Sequence, residues 1–139
     1  MAAISITPAN VRNDQSGGTG SAGIAGATIT AGQVLNLNSS GQLIPAVNDT
    51  VAHAICVGIA LNNASANQPV NFHNNGQIDV GGTVAIGKVY VLGTAGGIIP
   101  VDDNAGGEII SVIGVGIATN RFLWIPNGMS GVAAAGAVT

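Results

Sequence analysis

Apolar side chains along this chain come in short runs cut by Gly, Asn and Pro. Val34-Leu35, Leu43-Ile44-Pro45, Val57-Gly58-Ile59-Ala60, Val89-Tyr90-Val91-Leu92 and Ile98-Ile99-Pro100 are the clearest. Runs of that length between turn residues read as strands. Strong helix formers are scarce, so no long amphipathic helix can be written.

The face pattern also sets hairpin registers. In Val70-Asn71-Phe72-His73, Asn74-Asn75-Gly76, Gln77-Ile78-Asp79-Val80, a two-residue turn would place Phe72 opposite Asp79 and mix core with solvent. A three-residue loop pairs Phe72 with Ile78 and Val70 with Val80. Asn71, His73, Gln77 and Asp79 then share the wet face, and Gly76 takes the left-handed position. The same logic closes loops at Ser39-Ser40-Gly41 and Thr94-Ala95-Gly96. These set Leu37 against Leu43, and Leu92 against Ile98.

The pattern occurs twice. Gly26 to Val34 matches Gly81 to Val89 at an offset of 55, which also carries Leu37 onto Leu92, Gly41 onto Gly96 and Ile44-Pro45 onto Ile99-Pro100. After a three-residue slip, Val57-Gly58-Ile59-Ala60 recurs as Val115-Gly116-Ile117-Ala118. Two copies are too few for a solenoid. The expected fold is all-β: a small antiparallel, tulip-like β-barrel or β-sandwich with two similar halves. The β-domain covers 26–126, with the duplication at 26–60 and 81–118. Residues 1–25 read as an extended N-terminal arm and Gly-rich linker. Gly17, Gly18, Gly20 and Gly23 supply the flexibility. Residues 127–139 read as an Ala/Gly-rich tail.

Composition narrows the function. The chain has 139 residues, 6% of them charged, with a net charge of −3. Its only bases are Arg12, Lys88 and Arg121. Direct nucleic-acid binding needs the opposite balance. Mean hydropathy is +0.50, but the longest apolar stretch, Val51 to Leu61, is interrupted by His53 and is too short to span a bilayer. No signal-peptide pattern opens the chain. The single Cys56 forms no internal disulfide. A surface so poor in charge suits a chain packed against others.

Candidate chemistry mostly fails on context. Gly18 to Gly23 matches G-x-G-x-x-G but lacks the preceding strand, following helix and later acid of a dinucleotide site. Asp102 to Glu108 misses the calcium-loop spacing and reads as a turn equivalent to Val47 to Thr50. His53 and Cys56, three apart, fall on opposite faces of a strand. Cys56 reads as a buried inert thiol and His73 as a surface histidine. No third zinc ligand is evident where a structural site needs four, and no catalytic site, metal or cofactor is expected. Arg121, Phe122 and Trp124 form the only aromatic and basic cluster, read as a final core-closing strand.

The repeated motif of a turn, a G-x-V strand, a Gly hairpin, Ile-Pro and then V-G-I-A resembles the capsid decoration, or cement, proteins of tailed bacteriophages. It is carried by Ala31 to Leu35 with Val57 to Ala60, and by Gly87 to Val91 with Val115 to Ala118. The resemblance covers roughly residues 26–125. It implies a non-catalytic β-domain, homotrimeric on the capsid, that binds the major capsid protein on the outer surface of the virion. Within that reading, Ile4, Ser5, Ile6 and Val11 are expected to add a strand to a capsid subunit or a neighbouring copy. Deleting residues 1–12 would then leave the body folded. A second reading is a carbohydrate-binding or fibre-type virion module using Trp124 and the Asn-rich loops. A small hydrolase is a third.

Overall fold

The computed structural model describes residues 4–13, 19–50, 52–103 and 109–132, and for residues 13, 19 and 126–132 the backbone alone. It is all-β, with no α-helix among the described residues. The strands are β1 (Val11–Asn13), β2 (Thr19–Ile24), β3 (Val34–Leu37), β4 (Leu43–Pro45), β5 (Gly58–Ala60), β6 (Pro69–Val80), β7 (Val89–Leu92), β8 (Ile98–Pro100), β9 (Ile109–Gly116) and β10 (Arg121–Val132). All named pairs are antiparallel, in the order β4-β3-β5-β6-β10-β9-β7-β8, with β1 and β2 also on β6. The curled sheet forms a half-barrel.

Two of the three expected hairpins stand in the register read from the sequence. Leu37 pairs with Leu43 across residues 39–41, and Leu92 with Ile98 across 94–96. The third does not form. Residues 69–80 run as one strand through Asn74-Asn75-Gly76. Its first part pairs with β2 and β5, and its second part with β1 and β10. Four remote strands outbid a local turn, because they pair both edges of the strand instead of one. Gly76 still has a left-handed φ of 80°, within a continuous strand. Ile78 therefore faces Phe122, not Phe72. The wet face changes as well: Asn71 is exposed, but His73 and Asp79 are buried.

The duplication is visible in the backbone. The pairs Leu35–Pro45 and Leu37–Leu43 recur 55 residues on as Tyr90–Pro100 and Leu92–Ile98. The V-G-I-A equivalence needs correcting. Ala60 N donates to Gln33 O at 2.9 Å, and Gly116 N donates to Lys88 O at 3.0 Å. Gln33 to Lys88 is 55 residues and Ala60 to Gly116 is 56, so the slip is one residue and Gly58 corresponds to Gly114. Both glycines sit under a phenylalanine ring, Phe72 or Phe122, and beside a strand carbonyl, His73 or Leu123. A Cβ has no room at either, which is why the motif keeps glycine there. Phe72 and Phe122, like His73 and Leu123, are thereby equivalent.

The N-terminal residues belong to the body. β2 closes the first half: it pairs with β6, and just beyond it Gly26 N donates to Leu43 O at 2.7 Å. Residues 4–13 close the second half. Ile4 N donates to Ile98 O at 2.9 Å, Thr7 N donates to Gly81 O at 2.8 Å, and β1 pairs with β6. Leu43 and Ile98 are repeat equivalents, so each half is sealed at the same carbonyl. Gly20 and Gly23, expected in a linker, lie in β2. Gly17 and Gly18 lie outside the described residues. At the other end β10 continues to Val132 instead of stopping at 126; residues 133–139 of the expected tail lie outside the described residues.

Two apolar clusters result. The smaller is the first repeat's interior: Ala25, Ile29, Leu35, Leu43, Ala60, Ala64 and Val70, with Val57 and Phe72 against it. The larger combines the second repeat's interior, including Tyr90, Leu92, Ile113, Phe122 and Trp124, with Val34, Ala46, Ala54, Cys56 and Ile59 from the outer face of the first. The repeats are therefore stacked directionally, the outer face of one on the inner face of the next.

Candidate functional site

The polar groups that invite chemistry are dispersed. His53 Nδ1 lies 2.8 Å from Asp49 Oδ1, both well exposed, and the hydrogen bond from His53 holds the Asp49 carboxyl below its usual range. Cys56 is on the other side of the packing. It is buried, its thiol approaches Ala54 O at 3.4 Å and Ser111 Oγ at 3.5 Å, and desolvation pushes its pKa up to about 11. A thiol so placed is a poor nucleophile, in line with its reading as inert. His73, expected at the surface, is fully buried. Its Nε2 lies 3.0 Å from Gly76 O, and burial lowers its pKa. The structure does not bring these three together, and no group of three His, Cys, Asp or Glu among the described residues is placed to hold a metal ion.

Asp79 has a structural task that sequence reasoning missed. Its carboxylate meets Arg12 Nη2 at 3.2 Å and accepts from Asn120 Nδ2 and Gly81 N, each at 3.0 Å. Three partners satisfy a nearly buried charge and pin β1 to β6. Lys88 Nζ bonds Asp102 Oδ2 at 3.0 Å, and this contact lowers the Asp102 pKa. Trp124 is 5% exposed and packed in the larger core, as the core-closing reading of the final strand expects. Among the described residues, a shallow surface hollow is lined by Thr28, Thr30, Asn63, Ser65 and Gln68, without a charged group.

The residues expected to bind a capsid take different positions. Ile4 and Ile6 pack against the larger core, Val11 is buried in it, and Ser5 is exposed. The amides of Ile4 and Thr7 are already used within the chain. β2, by contrast, has only β6 as a strand neighbour among the described strands, and Gly20, Ser21 and Ala22 along it are exposed.

The most distinctive surface is apolar. Val34, Ile59 and His73 form a rung across β3, β5 and β6, fully buried between the repeats. The equivalent rung across β7, β9 and β10 is Val89, Val115 and Leu123. It lies on the outside, with Val89 37% exposed and Val115 and Leu123 half-buried. Ile86 and Ile125 extend it outward. Alternation alone hid this face, because the strands carry apolar residues on both sides. The repeat offset, read together with burial of the first copy, reveals it.

No known protein-family model matches the chain, and no curated protein matches it significantly.

Proposed function

We propose that this chain is a structural decoration protein, non-catalytic and cofactor-free, that binds the major capsid protein on the outer surface of a tailed-phage shell and ties capsomers together. The observation that carries the reading is the combination of surface and charge. Ile24, Leu37, Ile55, Ile86, Val89 and Ile125 are exposed on a body in which 6% of residues are charged. Of these, Val89 and Ile125 share one face with the half-buried Val115 and Leu123; a contiguous apolar face marks a contact surface, and little net charge opposes close association with other subunits. The repeated strand motif supports the same reading through its resemblance to cement proteins. The arm mechanism is revised. With the amides of Ile4 and Thr7 engaged, the edge for a partner strand from the shell is β2, where small side chains let another backbone approach.

The test is co-sedimentation of the purified chain with undecorated shells. Saturable recovery in the shell pellet is expected. A chain that stays in the supernatant at every concentration contradicts the proposal.

A further inference from the structure

The chain itself shows how its exposed rung can be covered. Val34 and Ile59 are buried in the cluster that carries the second repeat's Leu92 and Ile98, and His73 beside them is fully buried. The covering element is identifiable. Gly96 N donates to Ala46 O at 2.6 Å, Gln33 Nε2 donates to Ala95 O at 3.2 Å, and a Cβ at Gly96 would stand 2.8 Å from Gln33 Cβ. The tip of the second hairpin thus sits on the outer face of the first repeat, and Leu92 at its base is fully buried.

The first repeat carries the same hairpin. Asn38 N donates to Gln42 O at 2.9 Å, as Gly93 N does to Gly97 O at 2.8 Å. Yet its tip is unused. Nothing lies within 4 Å of a Cβ built at Gly41, and Leu37, in the place of Leu92, is 48% exposed. At the opposite end Ile86, in the place of buried Ala31, is 74% exposed. One molecule therefore presents both members of a contact that it already makes internally.

We propose that copies of this chain associate head to tail, the first hairpin of one copy, Leu37 with residues 39–41, seated on the Ile86, Val89, Val115 and Leu123 face of the next. The occupant is a second copy because the matching hairpin is the chain's own, and the internal contact supplies the pattern. The interface is heterologous, with one donor and one acceptor surface per copy, so copies build a ring where the rotation closes. Two charged residues stand at the acceptor face: Lys88, which Asp102 already pairs, and Arg121, exposed two residues before Leu123 on β10. The contact is independent of which surface meets a shell.

Cross-linking tests the geometry. Gln33 and Ala95 touch within the chain, so their counterparts Lys88 and Ser40 should touch between copies. Full-length Ser40→Cys and Lys88→Cys proteins are made separately, mixed and oxidised; buried Cys56 stays out of the exchange. A disulfide-linked dimer in the mixture, and in neither variant alone, is expected. Light scattering on the unmodified chain should show a mass rising above 13.5 kDa with concentration, and Ile86→Asp should return it to the monomer. A monomeric mass at every concentration without a mixed disulfide overturns the proposal. Equal linking within each single variant overturns its head-to-tail geometry.

Discussion

His73 and Leu123 hold the same position in the two repeats, yet one is a titratable ring and the other aliphatic. The ring is the buried one, and its burial lowers its pKa. The folded state therefore holds the neutral imidazole more tightly than the unfolded chain does. Its contribution to stability is present above the ordinary value of 6.5 and is lost as pH falls through the lower folded value. Asp49 and Asp102, both shifted below 3.8, act only at stronger acid. Between about pH 7 and about pH 5 the wild type should lose thermal stability, and His73→Leu should flatten that slope. Identical slopes by calorimetry would show that His73 is not the sensor. From sequence alone His73 read as a surface residue, because the expected three-residue loop put it on the wet face with Asn71, Gln77 and Asp79. It is buried on a rung whose other members, Val34 and Ile59, pack with the second repeat, a contact that alternation along one strand does not encode.

Among the elements, the short hairpins were legible and the long strand was not. Loops 39–41 and 94–96 are local, and only one register puts Leu37 on Leu43 and Leu92 on Ile98. Asn74-Asn75-Gly76 carries an equally good turn signal, but β6 is paired on both edges over both its parts, which a hairpin would forfeit. The same long-range pairing turns the N-terminal arm into structure. Val11 is buried, and Ile4 and Ile6 pack on the core. Each such side chain contributes about 1.5–3 kcal/mol when fully buried. Deleting residues 1–12 also removes the Arg12 partner of Asp79. That truncation should lower Tm by roughly 10 °C or more. A truncated chain that melts with the full-length protein would show that residues 1–12 are dispensable for the fold.

At the scale of the molecule, the duplication was readable as an offset of 55, while the direction of stacking was not. Both repeats are apolar on both sheet faces, and only the packing shows that Val34 and Ile59 on the outer face of the first are covered while their counterparts Val89 and Val115 on the second are partly exposed. The same two-sided apolarity makes a chain of 6% charge suited to life among neighbouring subunits and supports its reading as a capsid decoration protein. The most direct test is quantitative protein composition of purified virions from its source, with this chain's copy number set against that of the major shell protein. The account predicts a copy number comparable to the shell protein, held on the outer surface. Absence from the particle, or only a few copies, would contradict it.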